Sequence, residues 1–184
     1  MKSITIDQIR LIQPGLTVLV TSSFNGKNAV MTAAWVMPVS YVPSRVAVAI
    51  SPERFTYSIV KSSREFAINI MDFKYVENVY LAGTLSGKDY DDKFKVVKLT
   101  PTRARKLNIV VVKEALGVVE CKVINVVKTG DHDLFIGDVV DAYVKDDNLY
   151  TTHWEVENYR PILYISEGHF ITIDKNSLRK YEIP

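Results

Sequence analysis

A chain of 184 residues, 47% of them hydrophobic and 24% charged, is long enough to bury one sizeable core and too apolar for disorder. Its formal net charge of +2 comes without any long basic run, so no field draws nucleic acid or an anionic membrane surface. The single cysteine, Cys121, excludes an internal disulfide and every multi-cysteine metal site.

One domain over 1–184 is expected, with its core at about 12–173 and a surface tail at 174–184. The first residues, MKSITIDQIRLIQPG, carry Asp7 and Arg10 and lack an apolar segment of signal-peptide length. No run approaches the roughly 20 apolar residues of a membrane span. A cytoplasmic protein is the expectation.

In chain order, LTVLVTSS (16–23) reads as a strand, and the Asn25-Gly26 that follows is the strongest short hairpin signal. NAVMTAAWVMPVS (28–40) reads as the next strand, with an oddity. Val30, Trp35 and Val36 suit a pleated sheet, yet Thr32-Ala33-Ala34 puts three small side chains in a row where a core usually wants bulk. Such a gap either lets a helix cross tightly or leaves a slot where a flat ligand meets the backbone, with Trp35 as a rigid apolar wall.

RVAVAI (45–50) and EFAINI (65–70) are strands around a helix, TYSIVKSS (56–63), for which Thr56 is the expected N-cap. The free N–H groups at that helix start are also an anion site if a cation lies close. KYVENVYLAG (74–83) is a second helix, ended by Gly83 as a left-handed cap. LSGKDYDDKF (85–94) is a polar loop, in which Ser86, Lys88 and Lys93 are the candidate anion contacts. LGVVECKVINVV (116–127) and LFIGDVVDAYV (134–144) are long strands, and PILYI (161–165) and HFITI (169–173) short ones. On the first of these, Cys121 shares a face with Val119 and Val123 and reads as a small core residue, not a nucleophile.

The turn between the long strands, Gly130-Asp131-His132-Asp133, is the sharpest polar feature. Asp131 or Asp133 can fix the tautomer of His132 and hold its other nitrogen ready for a ligand. His153 and His169 have no ligand spacing with it, so metal is disfavoured, and no nucleophilic triad can be assembled. Many strands with few short helices argue a nearly closed antiparallel barrel, and no G-x-G-x-x-G supports a Rossmann site.

Taken together, NAVMTAAWVMPVSYVPSRVAVAISPERFTYSIVKSSREFAIN, SGKDYDDKF and GDHDLFIGDV resemble, in order, the motifs of the flavin reductase-like family of FMN-binding split barrels, which includes flavoredoxin. The likeness runs from about Leu16 to Phe170. It implies a mainly β fold, a six-stranded antiparallel Greek-key barrel with a few short helices. It also implies FMN at a homodimer interface and NADH or NADPH as electron donor. Asn28, Thr32, Ala33, Ala34 and Trp35 match the segment lining the flavin ring and ribityl chain. Ser51 and Thr56 match the phosphate region, with Lys93 as its charge partner and Ser86 in the same loop. His132 matches the family's flavin-site histidine, supplied across the dimer and the one candidate catalytic residue, while Asn69 and Tyr164 match nearby positions. The sequence departs from the family at Val42-Pro43, where Pro-Pro is usual, and at Lys88 and Asp92, which change the charge of the loop.

The resulting expectation is an FMN-dependent oxidoreductase that takes hydride from NAD(P)H and passes electrons to free flavin or a partner protein. The alternative is a flavoredoxin-like carrier that a partner reduces. A ligand-free barrel stacking single-stranded nucleic acid on Tyr and Phe is a third reading, opposed by the near-neutral charge and the acidic loop.

Overall fold

The computed structural model describes residues 8–181; Asp7 with the rest of 1–7, and 182–184 of the expected tail, lie outside that range. The strands are β1 (Gly15–Leu16), β2 (Val18–Phe24), β3 (Lys27–Ala33), β4 (Val36–Ser40), β5 (Arg45–Ile50) and β6 (Glu65–Ile70). They continue as β7 (Pro101–Arg103), β8 (Val110–Val112), β9 (Gly117–Lys128), β10 (Asp133–Val144), β11 (Leu163–Ser166) and β12 (His169–Ile171). Three helices, α1 (Phe55–Ser63), α2 (Val76–Thr84) and α3 (Lys93–Val96), complete the fold with a few 3-10 turns.

Seven strands form the main sheet in the order β3-β2-β6-β9-β10-β5-β4, every neighbour antiparallel. The expected six strands become seven because 28–40 is not one strand. It breaks at Ala34-Trp35, so that β3 pairs with β2 while β4 pairs with β5. The two outermost strands of the sheet are therefore consecutive pieces of one chain run. Six chain runs thus make up the sheet, and the small-residue gap is where one run passes from one outer strand to the other. β5 lies beside β10 and β6 between β2 and β9, so α1 carries the Greek-key type of crossing between them.

Alternation decides the packing. Val18 and Val20 of β2 point into one core with Val48, Ile50, Phe66, Ile68, Cys121 and Phe135. Leu19 and Ala67 point the other way, into a second core with Val79 and Ala82 of α2, Phe94, and Leu107, Ile109 and Val111 around β8. Both faces of β2 and β6 are thus covered, which is why their sequences read as nearly continuous apolar runs. Cys121 is fully buried, and burial first, then Glu120 and Asp138, push its thiol up to about 12. It stays protonated and inert at neutral pH.

Three local expectations are corrected. Thr56 is not the cap of α1: the helix opens one residue earlier, with Arg54 at the N-cap position, and no side chain caps it. Thr56 sits inside the first turn, 2% exposed. Gly83 does not end its helix, since α2 runs on to Thr84 and leaves through the extended Leu85. Its start is also later than expected, because a 3-10 turn capped by the Asp72 carboxylate occupies Phe73–Tyr75. The β7–β8 hairpin went unread because each strand has only three residues and one opens with proline. The hairpin turn at Asn25 (φ 47°) and Gly26 (φ 75°) has the positive φ at both centres that Asn-Gly supplies. No helix among the described residues is long and apolar enough to cross a membrane.

Candidate active site

The break in the strand and the start of α1 face one another across a cleft with two joined lobes of about 430 and 450 Å³. Met31, Thr32, Ser51, Arg54, Gly83 and His132 line both lobes. The first is walled by Ala33, Ala34 and Trp35 on the barrel side and by Tyr80, Tyr164 and Phe170 opposite. The second holds Thr56, Ser86 and Lys93.

The small residues admit a close helix crossing at Thr32 and also border the cleft. The Thr32 hydroxyl donates to the Val79 carbonyl of α2. A Cβ added to Gly83 would stand 3.1 Å from the Thr32 Cβ, so the helix crosses as closely as glycine allows. Ala33 faces the barrel core, 6% exposed. Ala34 and Trp35, past the end of β3, leave the slot open, and Trp35 stays 41% exposed with its ring against the imidazole of His132 at 4.6 Å.

His132 lines both lobes of the cleft within its own chain. Asp133 pairs with Ile50, so the turn that ends β9 is held beside Ser51. The two aspartates divide their work. Asp131 Oδ1 lies 3.0 Å from His132 Nδ1, and this hydrogen bond lowers the carboxyl below its usual range. Asp133 turns away and accepts from the Tyr57 hydroxyl at 2.7 Å.

The second lobe gathers positive charge. Lys93 is 6% exposed, and its ammonium donates to the Ala82 carbonyl at 2.6 Å near the end of α2. None of the described residues offers it a carboxylate within ion-pair distance. Burial, and then the nearby Arg54, lower it to about 8. Arg54 donates to the Gly83 carbonyl at 3.3 Å, so two cations gather at the uncapped N-terminus of α1. The carboxylates of the lobe, Glu53 and Asp131, are exposed residues at its rim, where water and salt screen them.

Lys88, the other loop candidate, reaches outward to the Glu53 carbonyl at 2.9 Å and does not line this lobe. Asp92 is spent on capping α3 through the Lys95 N–H. Two candidates fall elsewhere. Asn28 is exposed on the outer face, accepting from the Ser23 hydroxyl. Asn69 is fully buried and lines neither lobe: its NH2 group is shared among the Leu19 carbonyl, the Thr21 hydroxyl and the Ala67 carbonyl, and its oxygen accepts from the Val112 N–H. Arg54, Tyr80 and Phe170 were missed. Only Arg54 carried a sequence signal, as a cation two residues before the flagged Thr56.

Fold and cleft together define the FMN-binding split-barrel class. The chain belongs to the flavin reductase like domain family, whose model matches residues 10–170. A protein of Aeropyrum pernix is 37% identical over 85% of this chain, and the chain spans only 59% of that relative's length. An uncharacterized protein of Archaeoglobus fulgidus is 32% identical over 99% of both chains. A ferric-chelate reductase (NAD(P)H) of the same organism is 29% identical over 70% of this chain and 75% of its own. Among solved structures, flavoredoxin of Desulfovibrio vulgaris superposes with a TM-score of 0.85 at 24% identity, over 97% of each chain.

Proposed function

We propose that this protein is an FMN-dependent oxidoreductase that accepts hydride from NADH or NADPH and passes electrons to free flavin or a partner protein. The observation that carries the reading is the buried Lys93 ammonium. Among the described residues it has no carboxylate partner, and it lies beside an uncapped helix start in the lobe joined, at His132, to the slot walled by Ala34 and Trp35. A buried charge without a counter-charge is costly unless a ligand supplies one. A planar ring system bearing a phosphate matches both lobes at once.

Lys93, Arg54 and the α1 N–H groups hold the phosphate, and Ser51, Thr56 and Ser86 complete its surroundings. Ala34 leaves room for the ring, Trp35 and Tyr164 keep water from it, and His132, braced by Asp131, offers its remaining nitrogen to ligand or donor. A bound flavin supplies the redox chemistry, accepting two electrons with a proton and handing electrons on. This accounts for the lack of any acid–base pair elsewhere in the cleft. The ferric-chelate reductase among the relatives supports an acceptor outside the protein.

The test is the anaerobic visible spectrum of FMN-loaded protein on adding NADH and then NADPH. Bleaching with either establishes a reductase and names its donor. A band that persists with both would leave the carrier reading, in which a partner protein reduces the flavin.

The same reading includes a homodimer. From Trp35 an exposed apolar strip continues through Met37, Val39, Tyr41 and Val42, the last two more than 90% exposed, along the free edge of β4. A second copy seated there closes the open side of the slot. Sedimentation velocity is expected to give a dimer that Val42→Glu converts to monomer; a monomeric wild type overturns it.

A further inference from the structure

Tyr57 takes no part in either lobe, yet it joins the two walls. It lies in the first turn of α1, just beyond Arg54 and Thr56 of the second lobe. Its hydroxyl donates at 2.7 Å to Asp133, the residue after His132. Asp133 is 6% exposed, and Tyr57 is the one side chain among the described residues that bonds its carboxylate. The Asp133 backbone is held rigidly, paired with Ile50 on one side and Lys128 on the other. The Tyr57 ring stands edge-on to Phe135 at 5.3 Å, and Lys61 approaches its oxygen at 3.5 Å, leaving the phenolic proton directed to Asp133.

From this geometry we infer that Tyr57 is a positioning residue, which sets the anion-binding end of α1 against the His132 turn through the Asp133 carboxylate. The inference rests on the cleft being the flavin site. α1 is also anchored by the buried Thr56, Ile59 and Val60 and by the Arg54 bond to the Gly83 carbonyl, but its N-terminal turn has no side-chain cap. The Tyr57–Asp133 bond is the side-chain contact that ties that first turn to the His132 turn. Breaking a hydrogen bond to a buried carboxylate disturbs an equilibrium by about tenfold or more.

The experiment compares Tyr57→Phe, Asp133→Asn and the wild type by two measurements. The first is the His132 imidazole resonance in ligand-free protein, and the second is the dissociation constant for FMN by fluorescence titration. Tyr57→Phe is expected to shift the His132 resonance and weaken FMN about tenfold. Asp133→Asn, whose amide oxygen still accepts the phenolic proton, is expected to stay within about threefold of wild type. A purely structural role would instead lower the melting temperature of both variants while leaving the His132 resonance and FMN affinity alone, and that result overturns the inference. So does an Asp133→Asn defect as large as that of Tyr57→Phe. If wild-type protein fails to bind FMN, the functional reading falls, and the His132 resonance alone then decides whether the two walls are coupled.

Discussion

Replacing Lys93 by Met is expected to weaken FMN binding by roughly 10- to 100-fold, the weight of a charge-assisted hydrogen bond in a water-poor site. The same substitution is expected to leave the ligand-free protein at least as stable at pH 7. Burial and Arg54 hold Lys93 down to about 8, well below an exposed lysine. Since the folded value lies below the unfolded one, the unfolded chain binds more protons between about 8 and 10.5, and ligand-free stability rises with pH across that window. Below about 8 the charged side chain is a burden on the empty fold, and Met removes it while keeping the bulk. A phosphate reverses the balance, because it needs the ammonium. Wild-type affinity for FMN should therefore decline as pH rises through about 8, with proton uptake on binding, and the Met variant should lack that limb. Titration calorimetry in buffers of different ionisation enthalpy measures both. Unchanged affinity with an unchanged pH profile would remove Lys93 from the site.

Much of this was legible because short-range rules and long-range structure agreed. β5 and β6 begin and end where RVAVAI and EFAINI do, since β-branched runs bounded by turn residues have few alternatives. Asn25-Gly26 set its hairpin for the same reason. The break at Ala34-Trp35 was visible only as a loss of bulk. That it separates two strands depends on β2 and β5 claiming its halves, and neither pairing is written in the thirteen residues themselves. Thr32, Trp35, Ser51, Lys93 and His132, from four separate stretches of the chain, line one cleft. Asn69 shows the limit. A polar residue in an apolar strand serves a ligand or serves the fold, and the difference lies in Leu19, Thr21 and Val112, which no local pattern ties to it. Arg54 shows the converse, because an arginine in a turn is read as solvated until a helix end and Lys93 are placed beside it.

Glu120 yields the largest expected effect on stability, and alternation alone hides it. It faces away from Cys121, as the pattern requires, but not toward water: it is fully buried. One carboxylate oxygen accepts from the Arg105 N–H at 2.6 Å, and the other from Lys106 and Leu107 at 2.9 Å each. Three backbone donors in the link between β7 and β8 are thus satisfied by a single side chain. The Arg105 guanidinium lies 3.9 Å over the Tyr143 ring beside it, and burial, with Glu120 close by, pushes that phenol up to about 12. Glu120→Ala takes the acceptor from three N–H groups, that of Leu107 buried and those of Arg105 and Lys106 partly so, and leaves a void, at a cost of about 3–5 kcal/mol. For a chain of 184 residues that corresponds to a fall in Tm of roughly 10 °C. Glu120→Gln keeps one acceptor oxygen and turns an NH2 group toward a donor, so it should recover only part of the loss. The damage should spread toward the cleft, because Leu107, Ile109 and Val111 share their core with Val79 and Ala82 of α2, the helix whose end holds Lys93. Hydrogen exchange at Arg105–Leu107 should accelerate first and the α2 amides next, with FMN affinity declining less than in Lys93→Met. If those amides keep their protection and Tm is unmoved, the Glu120 carboxylate does not hold the β7–β8 link in place.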